Sequence, residues 1–310
     1  MDVTILGSGS WGSALSNVLS DNNHNVNLWH HSQDFVNQSN NTLDHLSNLH
    51  YTSNLEIVQK CDVLLIALPS HTIKSVLNKL KINKNIIIVN CSKGFDLDRK
   101  KLLSSVIVEE LGIDINNFSV LSGPSHAEEV ANKIPTAVVA ASSSLETSQF
   151  VQNIFSNDYF RVYTNSDVIG VEIGAASKNI VAIAAGICIG LKYGDNTIAA
   201  LISRGLQEII RFGKKYGAKE ATFYGLAGIG DLSVTAYSKF SRNRQFGIKI
   251  AEGLNKDEAN KEIKMIVEGV NASKIIFELS KKNEINMPIV NEVYSILFEG
   301  KDPKRAINQL

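Results

Sequence analysis

The sequence predicts an α/β protein: a doubly wound, largely parallel sheet in its N-terminal part, followed by a second, mostly α-helical part. Three observations carry that expectation. Short apolar runs of strand length recur through the first half with helical periodicity between them. A glycine-rich turn joins the first run to a helical pattern. From about Asn165 onward such runs thin out and long helical patterns take over.

The first run, Val3-Thr4-Ile5-Leu6, enters Gly7-Ser8-Gly9-Ser10-Trp11-Gly12 directly. Gly7 permits a tight exit from the strand, Gly9 lets the backbone approach a pyrophosphate, and Gly12 admits close packing of the helix that Ala14, Leu15, Val18 and Leu19 continue. The N-terminus of that helix then faces the phosphates. With a strand before it and a helix after it, the turn reads as a dinucleotide-binding fingerprint and the sheet as Rossmann-like.

The next strand, Asn25-Val26-Asn27-Leu28-Trp29, runs into His30-His31-Ser32, where a carboxylate that grips the ribose hydroxyls of NAD is usual. Without a carboxylate nothing there repels a 2'-phosphate, and polar or cationic histidines can accept one. The cofactor expected is NADP or NAD, with a lean towards NADP. The other reading of both histidines is as solvated loop residues, and it suits His31 less than His30.

Abundant asparagine between Asn37 and Asn54 predicts an exposed, loop-rich stretch. Further strands are expected at Val63-Leu64-Leu65-Ile66-Ala67, Ile86-Ile87-Ile88-Val89, Val120-Leu121 and Ala137-Val138-Val139-Ala140. Two of them lead into polar turns, Pro69-Ser70-His71 and Asn90-Cys91-Ser92-Lys93-Gly94. Ligands of open α/β sheets gather at the carboxyl ends of strands, which places Lys93 where a ligand would be.

At 310 residues, of which 44% are hydrophobic, the chain can build two cores. The expected division is a dinucleotide-binding domain over 1–164 and a helical substrate and catalytic domain over 165–310. Thirty-one basic and 31 acidic side chains cancel, so no global field favours nucleic acid or an anionic membrane surface. The longest uncharged apolar stretch, Ile180 to Leu191, is too short to span a bilayer. Asp2 and a short strand stand where a signal peptide has basic and long apolar regions, so a cytoplasmic location is expected. Cys61, Cys91 and Cys188 lie far apart in apolar segments without Cys-x-x-Cys spacing, which predicts reduced, buried thiols rather than a disulfide or metal site.

In the second half, Val171-Glu172-Ile173-Gly174-Ala175-Ala176-Ser177-Lys178-Asn179 reads as a helix crowded with small residues around one lysine. Desolvation lowers a lysine's pKa and makes it a usable proton donor or acceptor near neutral pH; the other reading is a lysine snorkelling to the surface. Its companions are Ser122-Gly123-Pro124-Ser125-His126-Ala127-Glu128, the loop Gly225-Leu226-Ala227-Gly228-Ile229-Gly230-Asp231, and Ser241-Arg242-Asn243-Arg244-Gln245-Phe246-Gly247. Together with the opening turn, these motifs resemble the bacterial-type NAD(P)-dependent glycerol-3-phosphate dehydrogenases, from Gly7 to Met287-Pro288-Ile289.

That resemblance implies reversible reduction of dihydroxyacetone phosphate to sn-glycerol 3-phosphate with NADPH or NADH, for glycerophospholipid synthesis and without a metal. Lys178 would accept the proton in alcohol oxidation and return it in reduction. Lys93 would steer the substrate, and Asp231 would take a hydroxyl hydrogen bond and orient Lys178, although a helix N-cap is an equal reading for Asp231. Arg242 and Asn243 would hold the substrate's phosphate, since a guanidinium fork grips phosphate oxygens bidentately. Gly123, Ser125 and Ser241 match further substrate contacts. The cofactor side comprises Gly7, Gly9, Ser10, Trp11, Gly12, His31, Lys93, Ala127, Arg242, Ile266 and Glu268, with Glu268 bonding a carboxamide or ribose or else capping the helix that follows. Arg244 keeps a surface reading.

Trp11, Ser125-His126 and Ser233-Val234-Thr235 depart from the commonest family pattern without removing a reactive group. The 3-hydroxyacid and 6-phosphogluconate dehydrogenases share the layout and the helical lysine, but their asparagine lies several residues beyond it; here Asn179 is adjacent. A catalytically silent NAD(P)-binding regulator would need neither Lys178 nor Arg242. The partner expected is a small phosphorylated substrate, and a homodimer is implied by the resemblance alone.

Overall fold

The structure, a computed structural model, describes residues 1–40, 48–263 and 266–310. These form two compact units, Met1–Ser92 with Leu103–Val168, and Lys93–Leu102 with Ile169–Leu310.

The first unit is built on an eight-stranded sheet. Its strands are β1 (Asp2–Leu6), β2 (Asn25–Trp29), β3 (Leu49–Thr52), β4 (Val63–Ile66), β5 (Ile87–Asn90), β6 (Phe118–Ser122), β7 (Thr136–Ala141) and β8 (Phe160–Asn165), in the order β3-β2-β1-β4-β5-β6-β7-β8. Every pairing is parallel except β6 with β7. In register, Ile5 stands beside Leu28 on one flank and Leu65 on the other. All four residues of β4 are buried, as the continuous apolar run of a strand covered on both faces requires. Strand order reverses between β1 and β4, so their carboxyl ends form the topological switch point.

Two strands were not among those expected from the sequence. β8 alternates, burying Phe160 and Val162 and exposing Arg161 and Tyr163, because as an edge strand it has one solvated face. β3 corrects the expectation of a loop over Asn37–Asn54. A helix runs from Gln33 to Asn40, and Leu49 is buried opposite Val26. Asparagine here replaces missing ladder partners: Asn40 Nδ2 donates to Tyr51 O at 3.0 Å and its Oδ1 accepts from Tyr51 N at 2.9 Å. Residues 41–47 of that stretch lie outside the described residues.

The second unit packs helices around Val168–Gly190, whose 23 residues exceed what Ile180–Leu191 alone suggested. By length and composition this helix could cross a membrane, yet 89% of its most apolar window is buried inside the protein, and it serves as the core helix of the unit. The Arg242–Ala251 helix crosses it backbone against backbone: a Cβ added to Gly247 would fall 2.1 Å from Ile183 O. The Pro288–Glu299 helix is tied on by Glu208, whose buried carboxylate accepts from Ile289 N at 2.7 Å and Val290 N at 3.2 Å. The Met287-Pro288-Ile289 motif therefore marks a capped helix start. Cys91 and Cys188 are buried and Cys61 is half-buried, all as free thiols.

Candidate active site

Gly174 and Lys178 lie one turn apart on the same face of the Val168–Gly190 helix. A Cβ on Gly174 would meet Ala227 O at 2.4 Å, so only glycine lets this face touch the backbone of the Leu226–Gly230 turn. That turn closes with Gly230 N donating to Gly225 O at 3.2 Å and delivers Asp231 as the first residue of the Asp231–Tyr237 helix. Lys178 Nζ then donates to Asp231 Oδ1 at 2.5 Å and to Thr235 Oγ1 at 2.7 Å. Thr235 Oγ1 itself donates to Asp231 O at 2.6 Å, which leaves a lone pair for the lysine. Lys93 Nζ donates to the other carboxylate oxygen, Asp231 Oδ2, at 3.0 Å.

Two of the open readings are thereby decided. Lys178 is 5% exposed and does not snorkel. Asp231 is 1% exposed and both of its oxygens serve lysines, while the N-cap position belongs to Gly230.

The electrostatics follow from three charges around one buried carboxylate. Burial is the strongest influence on Lys178 and, with the Lys93 charge, outweighs the attraction of Asp231, pulling the ammonium down from 10.5 to about 7. Burial also opposes the charge on Asp231, but Lys178 and Lys93 overcome it and hold the carboxyl below its ordinary value. A group that gives and takes a proton near neutrality is thus held against a carboxylate that stays ionised.

A second cluster of this unit surrounds the start of the Arg242–Ala251 helix. Ser241 is its N-cap, with Oγ accepting from Arg244 N at 3.2 Å. Asn243 Nδ2 donates to Asn179 Oδ1 at 3.0 Å, while its Oδ1 accepts from Gly269 N at 2.9 Å. The residue next to Lys178 is thus linked to the first turn of the Glu268–Lys282 helix. Arg242 is exposed and reaches Ile266 O at 3.3 Å; Ile266 is 40% exposed, and Glu268 opens its helix behind Val267.

In the first unit the predicted residues gather at the carboxyl edge of the sheet. Gly7-Ser8-Gly9 follows β1 and Ser10 starts the Ser10–Asp21 helix, with Trp11 and Gly12 in its first turn. His30 and His31 follow β2, with ring centroids 4.3 Å apart, and His30 Nδ1 accepts from Ser32 N at 3.0 Å. Gly123 follows β6, Ser125 Oγ donates to Gly123 O at 3.0 Å, and Ala127 opens the short Ala127–Ala131 helix, which packs against Ser10–Asp21.

The glycines of the turn differ in a way that tests whether a dinucleotide fits. A Cβ on Gly12 would lie 1.8 Å from Gly7 O, so the protein's own packing demands glycine there. Gly9 has an ordinary extended backbone, with φ −70° and ψ 177°, and a Cβ there would meet nothing within 4 Å. Nothing among the described residues requires glycine at position 9, whereas a pyrophosphate drawn against this helix start does. The buried Trp11 indole N–H, which has no acceptor among the described residues, adds a free donor beside it.

A Rossmann-type sheet carrying this turn, in one chain with a desolvated lysine held by an aspartate, defines the class of nicotinamide-dependent dehydrogenases with a helical second domain. Two family models narrow the class: that of the NAD-dependent glycerol-3-phosphate dehydrogenase N-terminus matches residues 2–148, and that of its C-terminus matches residues 167–308. The chain belongs to the NAD-dependent glycerol-3-phosphate dehydrogenase family. It is 46% identical over 320 residues to the glycerol-3-phosphate dehydrogenase (NAD(P)+) of Clostridium botulinum, covering 99% of this chain and 96% of the relative. The relative of the same name from a Thermoanaerobacter species is also 46% identical, over 321 residues, covering 100% and 96%. Among solved structures, the glycerol-3-phosphate dehydrogenase of Coxiella burnetii superposes with a TM-score of 0.92 at 38% identity, covering 99% of this chain and 98% of that one.

Sequence reasoning missed the hydrogen bond from Lys178 to Thr235. The signal was present, since Thr235 stands four residues after Asp231 and so shares its helix face. It also missed that Asn243 is engaged by Asn179 and Gly269, which no local pattern announces.

Proposed function

We propose that this protein catalyses the reversible NAD(P)H-dependent reduction of dihydroxyacetone phosphate to sn-glycerol 3-phosphate, in the cytoplasm and for glycerophospholipid synthesis. The observation that carries this reading is the Lys178–Asp231 contact at 2.5 Å, buried and shared with Lys93. When bound, the reduced nicotinamide supplies the hydride that makes the ketone an alkoxide. Lys178, protonated, stabilises the developing negative charge and gives its Nζ proton to that oxygen; in the reverse direction the neutral amine takes the proton from the alcohol.

Asp231 orients the Lys178 ammonium and keeps it charged, and Lys93 contributes a second cation for the substrate's oxygens. Arg242, Asn243 and Ser241 hold the phosphate, with Gly123 and Ser125 as further substrate contacts. Gly7, Gly9, Ser10, Trp11, Gly12, His31 and Ala127 bind the dinucleotide together with Lys93, Arg242, Ile266 and Glu268. In this reading residues 1–164 carry the dinucleotide and 165–310 the substrate chemistry, Lys93 being lent to the latter, and the active form is a homodimer. The test is loss of nicotinamide absorbance when dihydroxyacetone phosphate is added to the purified protein with NADPH or with NADH. Substrate-dependent oxidation is expected, and cofactor binding without turnover would overturn the reading.

A further inference from the structure

The Lys93–Leu102 segment directly follows β5 in sequence, yet it belongs to the helical unit. Phe95 accounts for that. It is 3% exposed and part of the helical core, with Leu97 and Leu102 packed against the same core. The segment closes on this anchor: Phe95 and Leu102 form an antiparallel bridge, Asp96 N donates to Lys101 O at 3.0 Å, and the Asp96 carboxylate accepts from Arg99 N at 2.7 Å. Lys100 adds an ion pair to Glu278 on the Glu268–Lys282 helix. Between Lys93 and Phe95 stands Gly94 at φ 118°, a conformation suited to glycine. That one residue sends the phenylalanine into the core and the lysine to Asp231.

We propose that Phe95 is a positioning residue for the reaction: by anchoring this segment in the helical core it holds the Lys93 ammonium on Asp231 Oδ2, the oxygen that Lys178 leaves free. A lysine side chain gives up much rotamer freedom in such a contact, so its occupancy depends on where the backbone presents it. Phe95, two residues away, fixes that backbone. The inference rests on the dehydrogenase reading for its kinetic consequence, but its structural consequence does not require turnover.

The charged groups acting on Lys178 are Asp231, which favours its proton, and Lys93, which opposes it. Releasing the anchor therefore removes a repulsion and leaves Asp231 to Lys178 alone, and the midpoint for Lys178 rises. The experiment is Phe95→Ala in the full chain, with the Lys178 amine followed by NMR titration of lysine labelled at Cε and Nζ, and with kinetics on dihydroxyacetone phosphate across pH. The expected result is a midpoint raised by about one pH unit. The KM for dihydroxyacetone phosphate rises about tenfold, while kcat below the midpoint changes less than about threefold.

Lys93→Met should raise the midpoint in the same direction, and adding Phe95→Ala to it should raise it no further, because both act through one contact. Phe95→Leu, which keeps an apolar plug, should restore the wild-type midpoint. A folded Phe95→Ala protein with unchanged midpoint and KM overturns the proposal, as does a double variant that shifts beyond Lys93→Met alone. Should Phe95→Ala not fold, Phe95→Val carries the same comparison, and an unshifted midpoint there overturns it. If the wild type fails to reduce dihydroxyacetone phosphate, the functional reading falls while the titration still decides the role of Phe95.

Discussion

The two units prepare for chemistry by opposite means. At the switch point of the sheet the working features are missing side chains: Gly9 leaves open space and Gly12 leaves room for Gly7 O. In the helical unit they are charges forced together, with Lys178 and Lys93 meeting on Asp231 across 53 and 138 residues of sequence. In the proposed reading the first arrangement binds by offering backbone donors, and no proton moves there. The second has its value in titration, because burial makes the proton on Lys178 easy to give up and Asp231 makes it available at all. In that reading, binding and proton transfer are separable by mutation.

The largest effect that would sharpen this contrast is expected at Lys178. Lys178→Ala should lower kcat for dihydroxyacetone phosphate by roughly 100- to 10,000-fold, the range of a lost general acid, while NADPH binding measured by fluorescence titration stays within about twofold. Equal loss of binding would merge the two functions that the proposed reading separates.

Next in size is Arg242→Ala. Loss of a charge-assisted phosphate contact should raise the substrate's KM by roughly 10- to 100-fold, with kcat much less affected. A normal KM would move the phosphate site elsewhere.

A smaller and more diagnostic effect separates two glycines of one turn. Gly12→Ala should destabilise the first unit by about 1–3 kcal/mol in chemical denaturation, since its methyl meets backbone. Gly9→Ala should change stability by less than about 0.5 kcal/mol yet weaken NADPH binding. Equal stability losses at both positions would mean that Gly9 is required by the fold and not by a ligand.

The same contrast governs how much was legible beforehand. The glycine turn, the apolar strands around it and the change to helical texture near Asn165 are local patterns, and the sheet and the helical second unit follow from them. β8 and β3 escaped because an edge strand alternates with solvent and resembles a loop when asparagine supplies its hydrogen bonds. Lys178 stood out as a lysine among small residues and Thr235 could have been found from its spacing to Asp231, but the anchor Phe95 is defined by three-dimensional packing. Phe95 reads in sequence as one more apolar residue after a strand; only the fold shows that it carries Lys93 into the helical unit. The cysteines show the limit of composition, since Cys61 is only half-buried where all three were expected inside.

The central claim is that Lys178 is the proton donor and acceptor and that Asp231 sets its charge. The measurement that tests it most directly is the pH dependence of kcat in both directions, for the wild type and for Asp231→Asn. Reduction requires the protonated lysine and oxidation the neutral amine, so reduction should fall and oxidation should rise as pH increases through one shared midpoint near 7. Removing the carboxylate's charge disfavours the ammonium, so Asp231→Asn should move both curves to lower pH. Curves without a common midpoint, or a midpoint unmoved in Asp231→Asn, would contradict the assignment of the proton to this pair.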